Sequence, residues 1–341
     1  MTDFSAVLAH LLAGEHLTSD DAASALGTIL DGGATPAQTA GLLVALRAKG
    51  ETAEEITGLV SALLDHAATV PVDPTGLVDT CGTGGDRLGT INVSTMAAVV
   101  AAGAGVKVAK HGNRAASSAC GSADVLEALE VAIELSPEGV ARCIDEVGIG
   151  FCFAPAFHPA MRHVGPIRRE LGVPTVFNFL GPLLNPARVR RQVVGVSDPR
   201  MAERMLEVLV ARGAEHAMVV HGADGLDELS TTGPATVWIH RDGVRSQGEV
   251  DPADLGLGRA TVADLAGGDA ATNAAAALAV FAGEPGPHRE IVLLNAAAAL
   301  VVGDRVDDLA AGVELAAAAI DSGAASSTLE GLARVSNEAA S

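Results

Sequence analysis

Three short polar segments contain the residue types that bind phosphate groups and divalent cations. The first segment, "GTGGD" at residues 82–86, places three glycines beside Asp86, and Ser94 and Thr95 follow at the predicted start of a helix. Glycine lets backbone N–H groups approach a ligand closely, and a helix N-terminus favours an anion. This segment therefore predicts binding of phosphate or pyrophosphate, with a tight turn that binds no ligand as the alternative.

Spacing excludes two other phosphate-binding loops for this segment. The dinucleotide fingerprint requires glycine where Arg87 stands. A P-loop beginning at Gly84 would require Lys followed by Ser or Thr where Thr90 and Ile91 stand. The glycines therefore belong to a loop of another kind.

The second segment, residues 110–122, lies between a predicted strand and a predicted helix. Its polar residues are Lys110, His111, Asn113, Arg114, Ser117, Ser118 and Ser122. A lysine, a histidine and an amide in one strand-to-helix turn favour a ligand site. The alternative is that Ser122 and Asp124 only cap the following helix while Arg114 is solvated.

The third segment, "HGADGLDELSTTG" at residues 221–233, carries the adjacent acids Asp227 and Glu228 at a predicted strand exit. Mg²⁺ prefers one or two carboxylates together with phosphate oxygens and water. The sequence therefore predicts a magnesium site here. An acidic loop in a very acidic protein is the alternative.

Composition limits the partners that the chain can have. The formal net charge is −20 and only 2% of the residues are aromatic, with no tyrosine, so we expect no nucleic-acid partner. The apolar runs are shorter than the ~20 residues of a membrane span, and no basic segment precedes the first apolar residues, so we expect no membrane association and no signal peptide. The four cysteines form no CxxC pair and have no companion histidines at zinc-ligand spacing, so we expect reduced thiols in the cytoplasm.

The elements that must position these segments divide into two parts. Residues 1–72 predict a small all-helical domain, in which Thr35 with Gln38 and Thr52 with Glu55 form capping boxes. Residues 73–341 alternate strand-like runs with alanine-rich helices, which predicts a large α/β domain with a mainly parallel central sheet flanked by helices. Residues 163–188 are rich in Pro and Gly and interrupt this alternation, so we interpret them as a crossover that returns to the helical domain.

The motifs together resemble a known enzyme family. "DTCGTGGD", "KHGNRAASS", "FNFLGPLLNP", "GLDE", "GGDAATNAAAAL" and "VLLNAAAAL" occur in the order found in the anthranilate phosphoribosyltransferases of tryptophan biosynthesis, and the match covers nearly the whole chain. The resemblance implies a nucleoside phosphorylase/phosphoribosyltransferase-like fold and a homodimer. It also implies Mg²⁺-dependent transfer of the phosphoribosyl group of phosphoribosyl pyrophosphate (PRPP) to the amino group of anthranilate.

The resemblance further implies the site residues. Those for PRPP are Gly82, Gly85, Asp86, Thr90, Asn92, Val93, Ser94, Thr95, Lys110, His111, Gly112, Asn113, Arg114, Ala115, Ala116, Ser117, Ser118 and Ser122. Those for anthranilate are Gly82, Asn113 and Arg168, and those for Mg²⁺ are Ser94, Asp227 and Glu228. No residue is assigned as a general base, and His111 is expected to position a ligand.

Some positions depart from the family pattern and leave other functions open. Ala119 and Cys120 stand where many members have Lys and Ser, and Glu130 stands where Gly is common.

A relative that uses another aromatic amine is the main alternative function. A pyrimidine nucleoside phosphorylase is less favoured because its lysine-histidine-serine motif is missing, and a nucleic-acid-binding relative is less favoured because the chain is acidic.

Overall fold

The N-terminal part of the chain is a bundle of four helices. The computed structural model describes residues 2–115 and 119–341. The bundle helices are α1 (Phe4–Leu12), α2 (Ser19–Leu30), α3 (Pro36–Lys49) and α4 (Ala53–Asp65). Both predicted capping boxes are present: the Thr35 hydroxyl accepts from the N–H of Gln38, and the Thr52 hydroxyl accepts from that of Glu55. Each box satisfies N–H groups that a helix start would otherwise leave unpaired.

The remainder of the chain alternates strands with helices. In chain order these are β1 (Val78–Gly82), α5 (Val93–Gly103), β2 (Val108–Gly112), α6 (Ser122–Ala128), α7 (Pro137–Val147), β3 (Ile149–Phe153), α8 (Ala154–Phe157), α9 (Gly165–Leu171), α10 (Phe177–Leu180), β4 (Arg191–Gly195), α11 (Ala202–Ala211), β5 (His216–Gly222), β6 (Ala235–Arg241), β7 (Val244–Val250), α12 (Ala270–Phe281), α13 (Pro287–Val302), α14 (Leu309–Asp321) and α15 (Ala324–Ala340).

The strands form one sheet in the order β3-β2-β1-β4-β5-β6-β7. The first five are parallel, which confirms the predicted mainly parallel sheet, whereas β6 and β7 add an antiparallel edge. Asp242 and Gly243 join β6 to β7 with φ values of 51° and 80°. Asp-Gly is the typical two-residue hairpin turn, so this edge follows from a local sequence signal.

The described residues form two hydrophobic cores against the sheet. One core combines α5, α13 and α15 with residues of β1 and β2. The other combines the helical bundle with α11 and with residues of β4 and β5. Val164, Phe177 and Leu180 of the predicted crossover are buried in this second core. The domain boundary at residue 72 and the role of the crossover stay predictions. Among residues 2–115 and 119–341, no helix is long and apolar enough to cross a membrane.

The packing of α2 on α4 depends on one glycine. A Cβ atom at Gly58 would lie 2.1 Å from the backbone oxygen of Ser19, whereas one at Gly27, in the middle of α2, would meet only a His66 carbon at 3.9 Å. Gly58→Ala should therefore lower the free energy of unfolding by about 1–3 kcal/mol through overpacking. Gly27→Ala should raise it by about 0.5–1 kcal/mol, because alanine loses less backbone entropy in a helix.

Denaturant unfolding of both variants and the wild type measures this difference. Equal effects of the two substitutions would contradict the assigned contact between α2 and α4.

Candidate functional site

The three polar segments meet at the carboxyl ends of the parallel strands. The backbone N–H of Gly84, in the loop after β1, donates to Asp227 Oδ2 at 2.6 Å. The N–H of Ser94, in the first turn of α5, donates to Glu228 Oε1 at 3.1 Å. The structure therefore joins the glycine loop and the N-terminus of α5 to the acidic pair after β5, where open α/β sheets bind ligands.

The glycine loop has the backbone conformation that its composition requires. Gly84, Gly85 and Gly89 have φ values of 66°, 86° and 67°, and Arg87 also lies in the left-handed region at 60°. Gly82 has a different role, because a Cβ there would lie 2.1 Å from Asp227 Oδ2. The glycines at residues 84, 85 and 89 thus form the turn. Gly82 allows the loop after β5 that carries Asp227 and Glu228, here called the acidic loop, to approach β1.

The acidic pair fits a hard divalent cation. Asp227 is buried and Glu228 is half-buried. Burial raises the pKa of both carboxyl groups, and the neighbouring charges, of Asp86 on Asp227 and of Asp227 on Glu228, raise the pKa further. A cation would relieve this cost of holding two negative charges together.

The donor set leaves room for substrate oxygens. Among the described residues, no group of three or more His, Cys, Asp or Glu side chains is arranged to hold a metal ion. The acidic pair and the nearby Ser94 hydroxyl thus form a small donor set, and Asp86 lies beside Asp227. This small set matches the way Mg²⁺ binds when phosphate oxygens and water complete its shell.

Lys110 brings a buried positive charge to the same place. Its side chain is almost fully buried, and Nζ donates to the backbone oxygen of Thr80 at 2.5 Å. Nζ also lies 3.4 Å from the hydroxyl of Ser94. Both the Lys110 ammonium and the N-terminus of α5 attract a phosphate group.

The buried side chain of His111 is uncharged at neutral pH. Its Nδ1 lies 3.2 Å from the oxygen of Gly181, and its buried Nε2 has no hydrogen-bond partner among the described residues. Burial, and then the neighbouring His158, lower the pKa of His111 to about 3. A base with so low a pKa takes up a proton poorly at neutral pH, which favours the predicted positioning role.

The loop after β2 is closed by local hydrogen bonds. The Ser122 hydroxyl bonds both the N–H and the oxygen of Asn113, at 3.1 and 3.2 Å. Asp124 accepts from the N–H groups of Ala115 and Gly121 and so caps α6. Ser122 thus links the loop and does not cap the helix.

Arg114 is exposed and forms ion pairs with acids of the following helix. Its guanidinium pairs with Asp124 and Glu127 and lies 5.6 Å from the ring of Phe153. A phosphate contact by Arg114 would have to replace these ion pairs. The predicted residues Ala116, Ser117 and Ser118 lie outside the described part of the chain.

Arg168 is a half-buried cation on α9. Its guanidinium lies 5.2 Å from the ring of Phe177, and burial lowers its pKa. Among the described side chains, no carboxylate forms an ion pair with it, so an anionic ligand could take that place. No hydrogen bond joins Arg168 to Gly82 or Asn113 in the described part of the chain, and the anthranilate site formed by these residues stays a prediction.

The other predicted PRPP residues line the same loop in different ways. Thr90 forms a β-bridge with Ala266, and Asn92 is the N-cap residue of α5. Val93 and Thr95 are buried, and the Thr95 hydroxyl has no partner among the described residues. The remaining predicted residues, Gly85, Asp86 and Gly112, lie in or beside the loops after β1 and β2.

Sequence reasoning missed residues whose hydrogen bonds fix the loops of the site. Ser197 donates its hydroxyl to the oxygen of Gly84 at 2.9 Å, and its N–H donates to the Thr83 hydroxyl at 3.2 Å. Asn273 and Asn295 bond to the site loops from α12 and α13. The sequence signal that could have found the two asparagines is a single amide side chain within an alanine-rich helix.

Two of the departures from the family pattern lie beside α6. Glu130 follows α6 with a φ of 65°, a conformation that glycine adopts without strain. Cys120 is buried, and its Sγ lies 3.4 Å from Asn92 Oδ1. Both residues therefore lie in turns at the two ends of α6.

Comparison with known proteins decides the family. Models described as "Glycosyl transferase family, helical bundle domain" and "Glycosyl transferase family, a/b domain" match residues 5–67 and 74–326. An anthranilate phosphoribosyltransferase from Salinispora arenicola is 56% identical over 332 residues, which cover 95% of this chain and 94% of that relative. The chain belongs to the anthranilate phosphoribosyltransferase family.

Solved structures of anthranilate phosphoribosyltransferases agree with the fold. That of Thermus thermophilus has a TM-score of 0.91 at 43% identity and covers 97% of this chain and 99% of its own. That of Saccharomyces cerevisiae in complex with PRPP and Mg has a TM-score of 0.89 at 30% identity and covers 98% of both chains. The predicted family and the predicted two-part fold are confirmed.

Proposed function

We propose that this chain transfers the phosphoribosyl group of PRPP to the amino group of anthranilate. The products are N-(5-phosphoribosyl)anthranilate and pyrophosphate, and the reaction belongs to tryptophan biosynthesis. The observation that carries the proposal is the pair of hydrogen bonds from Gly84 to Asp227 and from Ser94 to Glu228. They bring the glycine loop and the acidic pair to one point, which supports binding of a substrate that carries both a pyrophosphate group and Mg²⁺.

PRPP would bind between the glycine loop and β2. Backbone N–H groups of the loop and the N-terminus of α5 would receive phosphate oxygens, and the Lys110 ammonium would neutralise part of their charge. Ser94, Asp227 and Glu228 would hold Mg²⁺. When bound, this ion supplies positive charge beside the pyrophosphate.

The chemistry is a substitution at C1 of the ribose. The nitrogen of anthranilate forms a bond to C1 while the bond from C1 to the pyrophosphate oxygen breaks, and the leaving group takes the electron pair. Lys110 stabilises the charge that develops on pyrophosphate, and Arg168 aligns the amine with C1 through the carboxylate of anthranilate. After attack, the nitrogen releases one proton to water, so the reaction needs no general base, and neutral His111 serves to position the substrates.

Arg168 would bind the carboxylate of anthranilate. A guanidinium can donate two parallel hydrogen bonds to a carboxylate, and a half-buried one without an acidic partner among the described residues gains most from doing so. Asn113 and Gly82 would complete this side of the site.

The first experiment tests the reaction and its metal. Purified protein should release pyrophosphate from PRPP with anthranilate, faster than with other aromatic amines, and excess chelator should abolish turnover. Asp227→Ala should lower kcat by on the order of 100-fold, because several kcal/mol of charge stabilisation is lost. The exposed Asp254 supplies the control, since Asp254→Ala should leave the rate unchanged. Full activity in chelator would refute the metal assignment, and a preference for another amine would reassign the substrate.

The second experiment separates recognition of the amine from recognition of phosphate. Arg168→Ala should raise the KM for anthranilate by on the order of tenfold with little change in the KM for PRPP. Lys110→Ala should mainly raise the KM for PRPP. Arg169 is exposed beside Arg168 on α9 and provides the matched control. Steady-state kinetics with both substrates varied measures the effects, and equal effects of Arg168→Ala and Arg169→Ala on anthranilate would exclude Arg168 as its ligand.

We also propose a cytoplasmic homodimer. Leu12 and Val44, on the neighbouring helices α1 and α3, are 79% and 44% exposed, and a copy of the same surface would bury them. Light scattering should report a dimer at micromolar concentration, and Leu12→Asp should shift it toward monomer. Leu278→Asp, at a 54% exposed leucine on α12, should leave the dimer intact. A monomeric wild type would contradict this part of the proposal.

A further inference from the structure

Two buried asparagines in alanine-rich helices form hydrogen bonds to the loops of the site. Asn273 belongs to α12 and Asn295 to α13, and their side chains are only 1% and 3% exposed. A buried amide is costly unless its donors and acceptor are paired. Both amides are paired with the loops of the site, so each has a specific partner to position.

Asn295 bonds the backbone directly after the acidic pair. Its Oδ1 accepts from the N–H of Leu229 at 3.0 Å, and its Nδ2 donates to the oxygen of Leu229 at 2.8 Å. A third bond, from Nδ2 to the oxygen of Ile291 at 2.9 Å, holds the amide within its own helix. One side chain thus fixes both polar backbone groups of the residue that follows Glu228.

The acidic loop is also held from the opposite side. A Cβ atom at Gly195 would lie 1.6 Å from the oxygen of Asp227, so the backbone of β4 is in close contact with the loop there. Helix α13, which provides Asn295, is buried at every residue from 291 to 302. The peptide that carries the two carboxylates is therefore clamped between a strand and a buried helix.

We propose that Asn295 is a positioning residue for the cation site. By fixing the backbone of Leu229, it sets the positions of the Asp227 and Glu228 carboxylates before the ion binds. Without it, a buried N–H and a buried carbonyl lose their partner, and the loop must rearrange to satisfy them. This inference deepens the proposed function, because it assumes that the acidic pair holds Mg²⁺.

Asn273 provides a matched comparison on the other side of the site. Its Nδ2 donates to Asn92 Oδ1 at 2.8 Å, and its Oδ1 accepts from the N–H of Gly268 at 2.8 Å. It therefore supports the N-cap of α5 and, within the described part of the chain, makes no hydrogen bond to the acidic loop. The two asparagines are alike in burial and chemistry but differ in the part of the site that they hold.

The experiment measures cation binding directly, with Mn²⁺ as a paramagnetic substitute for Mg²⁺. Electron paramagnetic resonance titrations, with and without pyrophosphate, give the Kd for Mn²⁺ of the wild type and of Asn295→Ala, Asn295→Ser and Asn273→Ala. The serine variant can still bond the oxygen of Ile291 within the helix but is too short to reach Leu229, so it removes one contact with less risk to folding. Thermal unfolding of each variant reports stability separately.

We expect both Asn295 variants to raise the Kd for Mn²⁺ by about tenfold or more, as the loss of a ligand-orienting partner does at metal sites. Asn273→Ala should change it less than about threefold, although its loss of stability should be similar, and should instead raise the KM for PRPP. An unchanged Kd in Asn295→Ser, or equal changes in the Asn295 and Asn273 variants, would overturn the inference. Asp227→Ala sets the value expected for a lost ligand. If the wild type binds Mn²⁺ but does not form phosphoribosylanthranilate, the proposed function fails while the positioning role stands.

Discussion

The site depends on how closely the acidic loop approaches the sheet. Asp227 packs against β1 and β4 at two positions, Gly82 and Gly195, where a Cβ atom on either strand would overlap it. Because these strands are neighbours in the centre of the sheet, the approach sets the acidic loop above both of them. The hydrogen bonds from Gly84 and Ser94 to the two carboxylates exist only at this distance. The two glycines thus allow the glycine loop, which we propose binds phosphate, to adjoin the acidic pair that we propose binds Mg²⁺.

The buried carboxylate of Asp79 links β1 to β2 and to residues 163–188. Asp79 on β1 accepts from the N–H of His111 at 3.1 Å and from the side chain of Asn185 at 2.8 Å. Burial raises its pKa, and the charge of Lys110 is the largest effect that opposes this. Since Lys110 is itself buried, the two opposite charges lower the cost of placing each other inside the protein.

Local signals were readable in the sequence, whereas the contacts between distant segments were not. The capping boxes at Thr35 and Thr52 and the glycine loop before α5 depend on residues a few positions apart, so residue type and spacing sufficed. The bond from Gly84 to Asp227 spans 143 positions and follows from strand order, which no local pattern encodes. Asn295 lies within the motif "VLLNAAAAL", but only its contact with Leu229 shows what it holds.

Residues 163–188, which we predict to be a crossover, contact both the core of the helical bundle and the sheet. Its apolar side chains, such as Val164 and Phe177, are buried in the core of the bundle, while Asn185 bonds Asp79 in the sheet. The oxygen of Gly181, also in the crossover, lies 3.2 Å from Nδ1 of His111. The crossover carries the Arg168 guanidinium as well, so its position relative to β2 is fixed by packing in the bundle and by hydrogen bonds to the sheet. Because Arg168 lies against Phe177, which packs in the same core as the bundle, the position of the cation proposed for the amine depends on the packing between the bundle and the sheet.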